Sequence, residues 1–252
     1  MKTVLITGAS SGIGQEFVRR YAGQGYRIIM CSRSREKMEA LAEELEIDHR
    51  IISADLTREE ECLRLAREVE NEKIDVFINN AGFGLAGSFL ETDLKRETDM
   101  IMINDVAMHI LFKEILRKMQ KDDEGIILNV ASSAGFFPGG PYMATYYASK
   151  AYILSLTRAV HRELKERKSN VKVFALCPGP VDTNFNRNAS VTFALKGISA
   201  ENCVDECLRK MRGNNPVIIP SLSMKAVYHL RKLVPDSLLT MMVGHQQKKK
   251  IY

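Results

Sequence analysis

The chain has little of what marks secreted, membrane-spanning or multidomain proteins. Its five cysteines are scattered through 252 residues and odd in number, so they do not suggest a disulfide framework and favour a reducing cytoplasm. No apolar run approaches the roughly 18 residues that a membrane span needs. An apolar strand pattern starts at the N-terminus without a signal peptide, and no linker, repeat or low-complexity segment divides the sequence. We therefore expect one cytoplasmic domain over residues 1–252.

An excess of basic charge is also missing from most of the chain. Residues 1–220 carry 30 charges of each sign. The net charge of +5 comes from residues 221–252, where six Lys and Arg accompany a single acid, Asp236. A nucleic-acid-binding protein spreads basic residues over a face of its fold. The balance therefore argues against a nucleic-acid partner.

The sequence also lacks a recognisable metal-binding cluster. Cys203 and Cys207 lie four residues apart on a predicted helix and could face one metal ion, but no His or second cysteine pair is near them. We expect both side chains to be buried, and no metal site.

Short apolar runs alternate with helical patterns along the chain. Strands are predicted at residues 4–6, 26–31, 50–53, 75–78, 125–130, 171–176 and 217–219, and helices after Gly12 and at 36–45, 58–71, 94–119, 145–168 and 200–211. This alternation predicts an α/β fold, a single-domain doubly wound parallel sheet with helices on both faces. Ligands of such sheets bind beyond the carboxyl ends of the strands.

The first strand runs into a glycine-rich turn, Thr7-Gly-Ala-Ser-Ser-Gly-Ile-Gly14. Glycines let the backbone turn sharply and let a pyrophosphate approach its amides, and the following helix N-terminus favours an anion. The turn therefore predicts a dinucleotide site made by Gly8, Ser10, Ser11, Gly12, Ile13 and Gly14. The alternative is a turn without a ligand.

The end of the second strand bears on the choice of cofactor. An enzyme that prefers NAD usually has an acid there to bind the ribose 2′-hydroxyl, whereas this chain has Ser32 and Arg33. A guanidinium can pair with a 2′-phosphate. The sequence therefore favours NADP(H), although NAD(H) is possible and Arg33 could be a solvated residue that opens a helix.

Two further strand ends carry polar residues with two interpretations each. Asp55, before Leu56, can accept a hydrogen bond from an adenine amine or can cap the next helix. The turn of Asn79, Asn80, Ala81 and Gly82 lets the backbone pass close to a ribose or braces the centre of the sheet.

Chemistry is expected in the segment after the fifth strand. Tyr146 and Lys150 lie four residues apart and share one helix face. A free phenol has a pKa of about 10, and a nearby ammonium lowers it toward the range of a useful acid or base. Tyr147 is expected to point elsewhere. A Ser hydroxyl beside Tyr146 could hold the substrate oxygen.

Together these motifs resemble the short-chain dehydrogenase/reductase family over residues 1–220. The matching residues are Thr7-Gly-x-x-x-Gly-x-Gly14, Asn79-Asn-Ala-Gly82, Asn104, Ser132/Ser133, Tyr146-x-x-x-Lys150 and Pro178-Gly179. The resemblance implies a Rossmann-type domain, a nicotinamide cofactor, a homodimer or homotetramer, and catalysis without a metal.

The resemblance also implies residue roles. Tyr146 would be the acid/base, Lys150 would lower its pKa and bind ribose, and Asn104 would hold a water in a proton relay. Val181 and Thr183, after Pro178 and Gly179, would bind the nicotinamide amide.

The catalytic Ser can be aligned in two ways. Family spacing from Tyr146 selects Ser133, whereas the local Ser-x-Ala-Gly pattern selects Ser132 and leaves one extra residue in the loop 138–141. We prefer Ser132, because loops absorb an insertion more easily than strand ends do.

The predicted function is an NADP(H)-dependent interconversion of a ketone or aldehyde with an alcohol. The substrate is expected to be an apolar small molecule, hydroxysteroid-like or 3-oxoacyl. This expectation comes from a lid region at residues 184–212, with Phe185, Phe193 and Leu195, and from Tyr142 and Met143. The alternative is a cofactor-binding sensor with the same fold and little turnover.

The tail, residues 221–252, is basic and apolar. Val227, Leu230 and Leu233 or Val234 have helical spacing, and Pro235 breaks the pattern. A second helix capped by Asp236 or Ser237 is expected to end at Gly244. The tail could pack over the substrate mouth or a neighbouring subunit, rest on an anionic membrane, or fray. We favour the first, because exposed apolar helices are uncommon; membrane contact is possible but not favoured.

Overall fold

The computed structural model describes residues 1–182 and 197–248. Its strands are β1 (Thr3–Thr7), β2 (Arg27–Ser32), β3 (His49–Ser53), β4 (Val76–Asn79), β5 (Ile126–Val130), β6 (Lys172–Leu176), β7 (Val181–Asp182), β8 (Ile198–Ser199) and β9 (Val217–Ile218). Its α-helices are α1 (Gly12–Ala22), α2 (Arg35–Leu45), α3 (Glu59–Glu68), α4 (Leu94–Ile101), α5 (Met108–Asp122), α6 (Ala144–Glu166), α7 (Ala200–Met211), α8 (Leu222–Leu230) and α9 (Asp236–Lys248).

Seven strands form one parallel sheet in the order β3-β2-β1-β4-β5-β6-β9. The order reverses between β1 and β4, which opens a crevice at the carboxyl ends of the strands. The predicted doubly wound α/β fold is therefore confirmed. The short pair β7–β8 was not predicted, because two-residue strands carry no periodic signal.

The sheet is covered on both faces, as its continuous apolar strands require. On one face Leu65 of α3, Ile115 of α5 and Ile153 of α6 belong to the same core as Leu5 and Phe77 of the sheet. The opposite face is covered by α1, α2 and α7, whose buried members include both cysteines of α7. Cys203 and Cys207 are completely buried, as expected.

The helix predicted at 94–119 contains a change of helix type. Helix α4 passes through a π-helical turn, Met102–Ala107, before α5 begins. A π turn spaces its backbone hydrogen bonds more widely than an α-helix and often marks a functional position. It contains Asn104 and was not visible in the apolar periodicity.

The predicted helix at 58–71 ends early, at Glu68. The following amides are satisfied by turn bonds, Glu70 to the Arg67 carbonyl at 3.1 Å and Glu72 to the Val69 carbonyl at 3.1 Å. The turn directs the Glu72 carboxylate to Arg27, which donates at 2.6 Å. This ion pair at the base of the sheet was not predicted.

The tail forms two helices as expected, but the predicted end of the second helix is wrong. Helix α9 continues through Gly244 to Lys248. Gly244 is buried against Pro141, where an added Cβ would lie 3.1 Å from the ring, so the glycine permits close packing instead of ending the helix. Apolar side chains of the tail that are exposed in the single chain include Leu222, Leu230, Leu233, Leu238, Met241 and Met242, so packing on a neighbouring subunit stays a prediction.

In residues 1–182 and 197–248, none of the helices is both long enough and apolar enough to cross a membrane.

Candidate active site

A cavity of about 880 Å³ lies at the carboxyl ends of the strands. The predicted site residues that line it are Gly8, Ser10, Ser11, Gly12, Ile13, Ser32, Arg33, Asp55, Leu56, Asn80, Ala81, Gly82, Ser132, Tyr146, Lys150, Pro178, Gly179 and Val181. One fold feature, the edge where parallel strands end, therefore brings together residues that are up to 173 positions apart, from Gly8 to Val181.

The glycine turn leaves no room for side chains. Gly8 has φ +66°, which favours glycine. A Cβ on Gly14 would lie 2.2 Å from the Gly8 carbonyl oxygen and 2.6 Å from Asn80 Nδ2. The turn is thus packed on itself and on the loop after β4, with the N-terminus of α1 at the cavity. Such an N-terminus suits an anion.

The end of β2 presents hydroxyls and a cation. Ser10 and Ser32 share a hydrogen bond of 2.7 Å, which joins the glycine turn to β2. The Ser32 hydroxyl also accepts from the Ser34 amide at 3.3 Å. Arg33 is exposed and lines the cavity. A guanidinium beside two hydroxyls can bind a phosphate through charge-assisted bonds.

At the next two strand ends the structure shows the structural contacts, while binding of adenine and ribose there stays a prediction. Asp55 caps a turn, because its Oδ1 accepts from the Thr57 amide at 3.1 Å and the Thr57 hydroxyl at 2.9 Å. Asn79 braces the sheet by donating to Asn129 at 3.1 Å. Asn80 instead donates to the Thr7 carbonyl at 2.9 Å and lines the cavity.

Asn104 is completely buried in the π turn, behind the cavity wall. Its Oδ1 accepts from the Phe83 amide at 3.1 Å, and its Nδ2 donates to the Phe83 carbonyl at 3.0 Å and to Ser149 Oγ at 3.1 Å. Both N–H groups of the amide are therefore engaged by protein. In this arrangement its side chain holds Phe83 and α6 in place.

Ser132 is the serine whose side chain lowers the pKa of the Tyr146 phenol. The Ser132 hydroxyl accepts a hydrogen bond from the Ala134 amide at 3.1 Å. Ser133 lies in the next turn, where its backbone amide donates to the Pro178 carbonyl at 2.7 Å. Both serines line the cavity, and the choice of Ser132 as the catalytic serine stays a prediction.

The electrostatics of Tyr146 differ from the sequence expectation. Burial raises the pKa of the Tyr146 phenol, while the Ser132 hydrogen bond acts in the opposite direction. Lys150 Nζ lies 5.8 Å from the centroid of the Tyr146 ring and donates to the Val130 carbonyl at 3.1 Å. Burial therefore outweighs the lowering that we expected from Lys150.

Lys150 is itself strongly affected by its surroundings. Burial lowers the pKa of Lys150 to about 8, while the nearby Asp105 carboxylate raises it. Burial raises the pKa of Asp105 to about 6, and Lys150 lowers it. Asp105 follows Asn104 in the π turn and was not singled out in the sequence, since one acid in a helix carries no pattern.

Tyr147 does not point away from the cleft, so that prediction is wrong. Its ring lies 6.3 Å from the Tyr146 ring, centroid to centroid, and lines the same cavity. Two adjacent residues of the long helix α6, Tyr146 and Tyr147, line the cavity, because the tail forms the part of the cavity wall that Tyr147 contacts. The Tyr147 hydroxyl accepts a hydrogen bond from Gln247 Nε2 at 2.6 Å.

The tail contributes cavity residues that the sequence did not identify. Met224 and Val227 of α8 and Gln246 and Gln247 of α9 line the cavity. Met224 packs closely on the Pro178-Gly179 segment, so a Cβ on Gly179 would lie 2.7 Å from Met224 Cγ. These contacts could not be found from motifs, because the resemblance fades before residue 221.

Some predicted residues are not tested by this geometry. Thr183 and the lid residues Phe185, Phe193 and Leu195 lie outside the described residues. Met143 lines the cavity, whereas Tyr142 has φ 65° and its carbonyl accepts from the Gly87 amide at 2.9 Å. No metal-binding cluster of His, Cys, Asp or Glu occurs in the described part of the chain.

Comparisons with known proteins identify the family of this chain. The family described as short chain dehydrogenase matches residues 2–192. The 3-oxoacyl-acyl-carrier-protein reductase FabG of Rickettsia bellii is 35% identical over 180 residues, which cover 71% of this chain and 72% of that protein.

Two solved structures are similar over nearly the whole chain. A short-chain dehydrogenase from Sphingobium yanoikuyae in complex with NADPH has a TM-score of 0.84 and 28% identity, with 95% of this chain and 96% of that chain covered. The bulky-bulky ketone specific alcohol dehydrogenase from Comamonas testosteroni has a TM-score of 0.80 and 27% identity, with 95% and 94% covered. With its sheet order, its glycine turn and its Tyr146–Lys150 pair, this chain belongs to the short-chain dehydrogenase/reductase family of NAD(P)-dependent oxidoreductases.

Proposed function

We propose that this protein interconverts a ketone or aldehyde with an alcohol, using NADP(H) and Tyr146 as the acid/base. The observation that carries the proposal is that Ser132, Tyr146 and Lys150 are all buried and line one cavity that begins at the glycine turn, with Lys150 Nζ 5.8 Å from the centroid of the Tyr146 ring. Two polar side chains and a cation converge there on a space large enough for a cofactor and a substrate.

The strand-end residues fit a nicotinamide dinucleotide phosphate. The packed turn at Gly8 and Gly14 and the N-terminus of α1 suit a pyrophosphate, and Ser10, Ser32 and Arg33 suit a 2′-phosphate. When bound, the cofactor supplies or accepts a hydride. NADPH in the Sphingobium relative supports this choice, and NAD(H) remains possible for the same site. Val181 lines the cavity, and we propose that it takes part in nicotinamide binding.

The protein side chains handle the proton. Because burial raises its pKa, the Tyr146 phenol keeps its proton at neutral pH and can donate it to a substrate oxygen. Ser132 orients that oxygen, and Lys150, charged below about pH 8, stabilises the phenolate that remains. Asn104 holds the π turn and Phe83 at the edge of the site, and a water of the proton relay is proposed next to it.

The substrate is proposed to be an apolar ketone, aldehyde or alcohol. Phe83, Phe137, Met143, Met224 and Val227 line the cavity beyond Tyr146. Two relatives are named as a 3-oxoacyl reductase and as a bulky ketone alcohol dehydrogenase, and substrates of those kinds would suit an apolar cavity wall. A homodimer or homotetramer is proposed from the family resemblance.

The test is a panel of ketones, aldehydes and alcohols incubated with the full chain and NADPH or NADP⁺, with turnover followed by NADPH absorbance. We expect reduction of bulky apolar ketones at a rate that depends on Tyr146. NADPH binding without turnover of any panel member would instead favour the cofactor-binding sensor.

A further inference from the structure

The inner face of helix α9 breaks its own apolar pattern. Leu239, Val243 and Gln247 follow one another at intervals of four residues, and they are 7%, 6% and 4% exposed. Such a stripe normally stays apolar where a helix packs on a protein core. The last position nevertheless carries an amide, at the point where α9 reaches the cavity.

The amide of Gln247 is only half satisfied. Its Nε2 donates to the Tyr147 hydroxyl at 2.6 Å, whereas its Oε1 is buried and has no hydrogen-bond partner among the described residues. Buried polar atoms in folded proteins almost always have a partner, so an exception calls for a ligand or another explanation. Gln247 and Tyr147 both line the cavity that contains Tyr146.

The pair leaves both a donor and an acceptor available whichever way the amide is turned. As placed, the Tyr147 oxygen accepts from Nε2, so the Tyr147 proton, the second Nε2 hydrogen and the Gln247 Oε1 remain for a ligand. With the amide reversed, Tyr147 donates to Oε1, so the Tyr147 oxygen and both hydrogens of the Gln247 amide nitrogen remain. A hydroxyl matches either arrangement, because it donates once and accepts as well. A carboxylate can only accept, so it leaves the acceptor of the pair without a partner, and an alkyl group can do neither.

We propose that Gln247 and Tyr147 form a subsite for a hydroxyl group of the substrate, away from the carbon that reacts at Tyr146. The proposal rests on the proposed function and narrows it to apolar ketones, aldehydes or alcohols that carry a second hydroxyl. The Tyr146 and Tyr147 ring centroids are 6.3 Å apart, so one molecule can reach both groups when its hydroxyl lies several bonds from its carbonyl. The apolar wall then contacts the carbon skeleton between them.

The test compares matched pairs of ketones in the full chain with NADPH. The probes are 2-alkanones of seven to ten carbons with a terminal hydroxyl, each paired with the 2-alkanone in which a methyl replaces that hydroxyl. We expect kcat/KM to favour the hydroxylated member by about tenfold or more at the best length, because the methyl leaves both polar groups unpaired. In Gln247→Leu and in Tyr147→Phe the ratio is expected to fall to about one, with the methyl ketones still reduced.

Gln246→Leu is the matched control, because Gln246 precedes Gln247 and lines the same cavity. It should keep the preference for hydroxylated ketones. Equal kcat/KM for both members of every pair in the unmodified protein would overturn the proposal, and so would a preference that survives in both Gln247→Leu and Tyr147→Phe. Tyr147→Phe retains Gln247 and serves if Gln247→Leu does not fold.

Binding separates this inference from the proposed function. The same pairs are titrated by calorimetry into Tyr146→Phe protein with NADP⁺, where no turnover is needed. If no ketone is reduced by the unmodified protein, the proposed function fails, while a tenfold binding preference for the hydroxylated member still supports the subsite. Binding without preference overturns the subsite, whatever the turnover.

Discussion

The strand-end half of the site and the tail differ in how completely they are buried. At the strand ends, buried polar groups hold one another, as in the bonds from Asn79 to Asn129 and from Asn80 to Thr7. The tail is attached by a few apolar side chains and by single polar bonds such as Gln247 to Tyr147, and it leaves Leu222 and Leu233 about four-fifths exposed, at 79% and 80%. A buried network of directional bonds fixes chemistry to a narrow geometry, whereas a partly exposed segment can adjust to the substrate. We therefore expect the strand ends to control rate and cofactor, and the tail to control substrate selection.

The largest effect is expected at the strand-end half, from Tyr146→Phe. Loss of one acid/base group costs a factor of roughly 10²–10⁴ in rate. NADPH affinity should stay nearly unchanged, because the ring and its burial remain. Steady-state kinetics and NADPH titration measure both quantities. Tyr152→Phe is the control, since Tyr152 lies on the same helix, is 40% exposed and bonds to His109. Equal rate losses in the two variants would refute the role of Tyr146.

The next effect distinguishes the two serines. Ser132→Ala removes the hydroxyl that lowers the pKa of Tyr146 and that is proposed to orient the substrate oxygen, so it should lower kcat by roughly 10²-fold, as for other single hydrogen-bonding groups at a reacting oxygen. Ser133→Ala should lower it much less, because its amide bond to Pro178 remains. A larger loss in kcat for Ser133→Ala would show that the family spacing gives the correct alignment.

The relative affinities for NADPH and NADH test the role of Arg33, which follows β2. NADPH should bind more tightly than NADH, and Arg33→Asp should reverse the order. The variant removes a phosphate partner and adds repulsion, so NADPH affinity should fall by about 10- to 100-fold. Dissociation constants of both cofactors, measured by fluorescence titration, give the answer. Equal affinities in the unmodified protein would contradict the proposed role of Arg33.

Truncation tests the tail directly. Deleting residues 222–252 removes Met224 and Gln247 from the cavity wall and should raise KM by roughly tenfold or disrupt the oligomer. Kinetics and light scattering measure these effects, and the cofactor affinity should change less than KM. Unchanged kinetics and assembly would contradict a role at the substrate mouth.

The full-length protein should bind anionic liposomes little, and salt-sensitive sedimentation with them would favour the membrane alternative.

The smallest effect is expected in the pH dependence of kcat/KM. The proposed mechanism uses protonated Lys150 in reduction, so kcat/KM should fall as pH rises through the pKa of Lys150, which is about 8. Asp105 raises that pKa, so Asp105→Asn should move this fall to lower pH, by less than about one unit. Asp105→Glu keeps the charge and should move it less. A pH profile of Asp105→Asn that is unchanged or shifted upward would contradict the coupling.

Much of the site at the strand ends could be predicted from residue type and position. The glycine turn, Arg33 and the Tyr146–Lys150 pair were identified because parallel strands deliver the segments after them to one edge. The structure places these residues around one cavity. The π turn at Asn104 and the coupling of Asp105 to Lys150 were not predicted, because neither changes the apolar periodicity of the helix.

Gln247 shows why other contacts escaped prediction. Its bond to Tyr147 joins residues 100 positions apart, and no local pattern encodes such a contact. The continuation of α9 through Gly244 was missed for the same reason. A glycine often ends a helix, but here it packs against Pro141, which belongs to a loop far away in the chain.

The sequence by itself determined the alternation of strands and helices, the α/β sheet and the residues at the strand ends, since these depend on local periodicity and on the geometry of parallel strands. The tertiary structure alone decided which serine side chain lowers the pKa of Tyr146, how burial shifts the pKa values of Tyr146 and Lys150, and how the tail closes the cavity. Burial and long-range contact are properties of the packed chain, because each depends on segments that are distant in sequence.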